Sequence, residues 1–207
     1  MGNKKMHAIR EYPGPTLNDY ANVEALNHLF VATTTSLKGP QRGRLAAAPF
    51  LLFSLREDSV DWWEEALKEQ QQGDLIEALP KASPHTARLQ LAALSFLWQL
   101  GQRNAYAARL VSGASAAWCE RLADVPLVTV LNRIGDRGDL LVSRLDQDSP
   151  LSQRLTSEGV SSIAGVRKAV HLSVLQSLLT HQMFDFAVDL PAAACAMGGP
   201  ARTLRKV

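Results

Sequence analysis

Along most of this chain apolar residues recur every three or four positions, the spacing that lines one face of a helix. Leu17, Tyr20, Val23, Leu26, Leu29 and Phe30 keep to it directly after the Tyr-Pro-Gly-Pro run at residues 12–15. The prolines bar helix there, and Thr16 or Asn18 can cap the segment after them, so the pattern predicts a first helix from 16 to about 37. Residues 38–44 read as a basic turn. Leu45 to Arg56 is nearly all apolar, with Pro49 inside it. That predicts a helix that either begins at the proline or is kinked by it. Asp58 or Ser59 then caps a short helix with Gly73 as its stop, turning Val60, Trp63 and Leu67 inward and its acids outward.

Pro-Lys-Ala-Ser-Pro at residues 80–84 is the best candidate for a break between helical halves. Ser83 caps the next helix and Pro84 takes its first position. From His85 to Gly101 large apolar residues fall nearly all round the wheel, which predicts a buried central helix. Residues 103–123 read as helix with an interruption at Gly113. Asp124 caps a helix through Ile134, Gly135 to Gly138 form a turn, and Leu140 to Leu145 read as a short helix. Ser149-Pro150 opens another helix, and Ser161 or Ser162 opens a long one from Ile163 to about Asp189, ended by Pro191.

Composition supports the same fold class. There are 31 Leu and 28 Ala against 18 Val plus Ile in 207 residues, and helices carry Leu and Ala at little entropic cost. The expectation is an all-α bundle of about seven or eight helices around the 85–101 helix. A polar arm (1–15) precedes a helical domain (16–190) with a possible subdivision near 80–84, and a flexible basic tail (191–207) comes last. Cys119 and Cys195 lie far apart with no Cys-x-x-Cys pair, so neither a disulfide framework nor a Cys-rich zinc site is expected. The first residues lack the apolar core of a secretory signal. The longest stretch without Lys, Arg, Asp or Glu, Ala169 to Phe184, is too short and polar to span a bilayer. A cytoplasmic protein with no membrane partner is the expectation.

Charge changes the picture more than composition does. Residues 38–56 carry a net +4 and residues 57–77 a net −7, although the whole chain is only +2. The acids flank Trp62 and Trp63, and tryptophan is enriched among interface anchors. Trp62, off to the side of the inward stripe, with Glu64, Glu65, Arg42 and Arg44, forms the expected protein interface. The leading functional expectation is therefore a non-catalytic adaptor, accessory factor or chaperone that binds a protein partner and forms a homo-oligomer, a dimer being the simplest. No enzyme activity, cofactor or metal is expected.

Two alternatives are carried beside it. The run Leu155, Gly159, Val160, Ser161, Val166 and Val170 resembles the helix-turn-helix pattern of DNA-reading proteins, although Glu158 stands where that pattern is apolar and Gly165 falls inside the second helix. The resemblance implies a transcriptional regulator that meets DNA through Ser161, Arg167 and Lys168. The other alternative is a helical enzyme or cofactor-binding protein of unfamiliar type. Its local candidates are weak. Ser115 sits in Gly-Ala-Ser-Ala-Ala, a loose echo of a nucleophile elbow without a strand to deliver it. His181, Asp185 and Asp189 share one helical face and lack a second ligand pair. Arg137-Gly138-Asp139 spells an adhesion tripeptide and reads more simply as a turn. Phosphate-loop, dinucleotide and zincin motifs are missing.

Overall fold

A computed structural model of the chain describes residues 14–68, 82–135, 137–145 and 149–185. Nine helices are present among them: α1 (Leu17–Thr34), α2 (Gly39–Ala46), α3 (Val60–Lys68), α4 (Pro84–Arg103), α5 (Ala105–Ser112), α6 (Ala116–Asp124), α7 (Leu127–Ile134), α8 (Pro150–Ser157) and α9 (Ala164–Asp185). The only sheet among the described residues pairs β1 (Phe53–Ser54) antiparallel with β2 (Val142–Ser143), Phe53 opposite Ser143. The chain is an all-α bundle with one small ribbon stitched through it. Residues 1–13 of the predicted arm, the tail, and the glycine stop at Gly73 lie outside the described residues.

Several helices start where their side chains dictate. Thr16 and Asp19 form a reciprocal capping box at α1: the Asp19 carboxylate accepts from the Thr16 backbone N–H at 2.9 Å, and the Thr16 hydroxyl accepts from the Asp19 N–H at 3.3 Å. Asp19 also pairs with Arg103 at 2.6 Å, tying the start of α1 to the end of α4. Burial raises the Asp19 pKa, and the hydrogen bonds from Thr16 and Arg103 outweigh it, so the carboxyl lies below its ordinary value. Ser83 accepts from the Thr86 N–H at 3.2 Å with Pro84 in the first turn of α4. Gly113, at φ +70°, separates α5 from α6 where the sequence signals an interruption.

The helix α4 packs against α1, α5, α6 and α7 and is the centre of the bundle. Leu89, Ala93, Leu94, Leu97 and Leu100 are buried along it. It is not apolar-covered on every side, since Leu91 is exposed and Phe96 and Trp98 are only partly buried. The core joins residues before and after the 80–84 break: Val23, Phe30 and Phe53 belong to the same cluster as Leu94, Trp118 and Val174.

Three local expectations give way to tertiary contacts. Residues 38–44 fold as helix α2, because Pro40 suits a first turn and the Gln41 side chain accepts from the Lys38 N–H at 3.3 Å. Leu45 to Arg56 is not helical beyond Ala46. It runs through the core as a non-helical segment whose backbone groups are met largely by Asn27, with Val111 accepting from the Leu51 N–H at 2.9 Å and Arg144 bonding the Leu51 and Leu52 carbonyls. The Asn27 Nδ2 donates to the carbonyls of Ala46 (3.1 Å), Ala48 (3.3 Å) and Phe50 (2.9 Å), and its Oδ1 accepts from the Leu52 N–H at 2.9 Å. Leu140 to Leu145 contains β2 instead of a helix, since Ser54 and Phe53 offer a ladder that a lone turn of helix would forgo.

Candidate protein interface

The surface around Trp62 begins at the end of β1. The chain turns through Leu55–Ser59 with Arg56 at φ +53°, a left-handed conformation unfavourable for a residue with a Cβ. Several bonds hold it there. The Ser54 hydroxyl accepts from the Arg56 N–H at 3.1 Å, the Trp63 indole donates to the Leu55 and Arg56 carbonyls, both at 3.1 Å, and the Arg56 side chain donates to the Asp139 carbonyl. The Glu57 carboxylate, 4% exposed, accepts from the Leu55 N–H at 2.6 Å and the Ser54 hydroxyl at 2.7 Å. Arg144 reaches in from the far strand to pair with Glu57, and also donates to the carbonyls of Ser112 and Leu51. The turn that launches α3 is thus anchored by a charge pair spanning 87 positions of sequence.

Within α3, Trp63 and Ala66 are buried and Leu67 is partly buried, while Val60 is 46% exposed. The inward face is therefore Trp63, Ala66 and Leu67, and Val60 is not part of it. Packing against α7 sets that rotation. Trp63 meets the Trp118 ring edge-on at 5.3 Å and the Trp62 ring at 5.6 Å.

Trp62 is partly buried against the core and is oriented by the turn after α7. Its indole donates to the Asp139 carboxylate at 2.9 Å, and the Arg137 guanidinium lies 4.7 Å from its ring centre. Burial raises the Asp139 pKa, but the Trp62 and Arg137 hydrogen bonds take it below its ordinary value, so the acceptor stays ionised. The Arg137-Gly138-Asp139 turn therefore clamps Trp62 within the fold. In the sequence Arg137 and Asp139 read as a bare turn, and no local signal links them to a tryptophan 77 positions away.

The other expected interface residues do not all meet there. Glu64 and Glu65 are exposed on α3, and Glu64 lies 3.9 Å from Arg121 of α6. Arg42 and Arg44 belong to α2, which packs on α1, whereas α3 packs on α7. The Arg42 side chain donates to the Leu37 carbonyl at 2.6 Å, and Arg44 to the Val160 carbonyl at 3.3 Å. Both arginines are partly buried and serve local backbone groups.

The segment with the helix-turn-helix resemblance forms α8 and α9, which pack on each other. Gly159 lies in the turn, where an added Cβ would sit 2.5 Å from the Leu155 carbonyl oxygen, so only glycine fits without backbone movement. Arg167 donates to the Ser161 carbonyl at 2.8 Å, drawing both residues into the turn. Lys168 is exposed, beside exposed Ala164, Gly165 and Val166. His171 is buried, with Nε2 3.0 Å from the Gly159 carbonyl, which needs the ring proton on that nitrogen.

The His171 bond predicts a pH response. Burial is the main cause holding its pKa below the ordinary value of 6.5, with Arg167 acting the same way and the Gly159 bond opposing. Between the folded and unfolded values the unfolded chain binds more protons. The contribution is therefore complete above 6.5 and is lost as pH falls through the folded-state value. Hydrogen-exchange protection of the Gly159–Ser161 amides is expected to fall as pH drops below 6.5, and to lose that dependence in His171→Gln. Protection that stays constant with pH in the wild type would refute this role.

The remaining chemical candidates have structural duties where they are described. Ser115 caps α6, its hydroxyl accepting from the Trp118 N–H at 3.1 Å. Cys119 is buried, and burial pushes its thiol up to about 12, far from a thiolate at neutral pH. Asp189 and the side chains of His181 and Asp185 lie outside the described residues. Among the described residues no cluster of three His, Cys, Asp or Glu is placed to hold a metal, and no helix is long and apolar enough to cross a membrane. Comparison of the chain with protein-family models, with curated proteins and with solved structures finds no match.

Proposed function

We infer that the protein is a non-catalytic helical binding factor that docks a basic segment of another protein on the outer face of α3. One observation carries this reading: the Trp62 ring is fixed by Asp139 and Arg137 at the edge of a helix that exposes Val60, Asp61, Glu64 and Glu65. A ring already locked in orientation loses little freedom on binding, and the surrounding acids set encounter rate and register. Arg42 and Arg44 drop out of this surface because they serve α2 and the turn at Val160.

The test uses exposed residues, since Trp62 is also part of the fold. Wild type and a Val60→Lys, Glu65→Lys variant, both positions exposed, would serve as affinity baits, with recovered proteins quantified. Reversing a charge against a basic partner is expected to cut recovery about tenfold, and recovery from wild type is expected to fall with added salt. Equal recovery by both baits would remove α3 as the docking face.

A further inference from the structure

The end of α1 and the start of α8 enclose an open cleft of ≈ 520 Å³, within the size range of small-molecule sites. Among the described residues its lining carries no charged side chain, and most of it is hydroxyl. The hydroxyls of Thr34, Thr35 and Thr156 donate to backbone carbonyls of Phe30 (2.8 Å), Val31 (3.0 Å) and Ser152 (2.9 Å). A hydroxyl has one proton, so each of these oxygens offers only lone pairs to the cleft.

Ser152 is different. It lines the cleft, is 2% exposed, and its hydroxyl has no hydrogen-bond partner among the described residues. It occupies the first turn of α8, where backbone N–H groups have no acceptor within the helix. The N-cap residue Ser149 makes no side-chain cap bond to relieve them. Its oxygen is not sealed away, since Gln90 Oε1 is the one buried side-chain polar atom without a partner among the described residues, so the Ser152 donor opens onto the cleft and is available to a molecule seated there.

The cleft therefore sets donors from Ser152 and the first turn of α8 beside acceptors from Thr34, Thr35 and Thr156, with Leu37 and Leu145 as an apolar wall. We propose that it binds a neutral polyhydroxylated small molecule of the monosaccharide or cyclitol class. Ligand hydroxyls accept from Ser152 and the first turn of α8 and donate to the threonine oxygens, while a C–H face lies on the two leucines. An anion fits less well, because the threonine oxygens meet it with lone pairs and no cation among the described lining residues balances it. This site is independent of the α3 docking face.

Titration of the full chain with glucose, with myo-inositol and with inorganic phosphate, followed by backbone amide shifts, tests the assignment. Saturable shifts of the Thr35–Leu37 and Leu151–Thr156 amides are expected with at least one polyol and not with phosphate. Ser152→Val is expected to weaken that binding about tenfold, the loss of one well-placed hydrogen bond. Gln153→Ala, at an exposed lining position, is expected to weaken it severalfold and covers the case that Ser152→Val fails to fold. Shifts that map elsewhere, binding unchanged in both variants, phosphate displacing the polyols, or no saturable polyol shift would each overturn the proposal.

Discussion

Asn27→Ala is expected to lower the unfolding free energy by about 3–5 kcal/mol, among the largest single-residue effects in the molecule. Asn27 is fully buried and serves four backbone groups of the 46–52 segment, three carbonyls and one N–H. Removing its amide leaves those groups buried without partners, and a cavity beside Val23, Phe50 and Leu52 adds to the cost. Asn27→Asp discriminates between bonding and simple filling. The carboxylate has nearly the same shape and can still accept from the Leu52 N–H, but it turns lone pairs toward three carbonyl oxygens. Urea unfolding near neutral pH is expected to rank Asp at least as destabilising as Ala. An aspartate variant within about 1 kcal/mol of wild type would mean that Asn27 only fills space.

Arg144→Met is expected to cost about 3–5 kcal/mol, because it strands the Glu57 carboxylate in the core. The methionine keeps much of the side-chain volume, so the loss reports on charge and hydrogen bonding. Arg144 also donates to the Ser112 and Leu51 carbonyls, and its guanidinium lies where a Cβ on Gly113 would come within 3.2 Å. One side chain thereby joins β2, the end of α5 and the turn before α3. Glu57→Gln in the Arg144→Met background is expected to cost less than it does alone, with a coupling of about 1–3 kcal/mol by double-mutant cycle. Additive effects would show that the two groups do not act as a pair. Because Glu57 bonds the Leu55 N–H in the turn that launches α3, the same variants are expected to loosen the Trp62 surface. Hydrogen exchange at Val60–Trp63 would read that directly.

The parts of the fold legible in the sequence are those governed by neighbours in the chain. Ser83-Pro84, Gly113 and Ser149-Pro150 mark helix ends because capping and φ restriction act over one turn. Leu89 to Leu100 marks the central helix because its apolar residues repeat with the helical period. Where a segment's backbone partners lie far along the chain, the local pattern misleads. Leu45 to Arg56 is as apolar as a buried helix and leaves the helical path because its backbone partners are remote, Asn27 lying 19 to 25 positions away and Val111 and Arg144 further still. Val60 loses its inward place for a related reason: the facing helix α7, not the apolar spacing alone, sets the rotation of α3. The candidate site divides in the same way. The acids of α3 and its two tryptophans can be read from residue order. The clamp on Trp62 cannot, since Arg137 and Asp139 come from a turn with no distinguishing local pattern.

The amino-acid order alone determined that this chain is helical, where most of its helices start and stop, and which of them lies at the centre. Those properties derive from side-chain entropy, capping and a 3.6-residue period, all of which act within a few residues. Tertiary structure alone decided that an apolar run would cross the core as a non-helical segment, that Arg144 would neutralise Glu57, and that Ser152 would face a polar cleft. The first two depend on satisfying a buried polar group with a partner remote in sequence, and the third on two remote segments meeting, and local residue order carries no record of those distances.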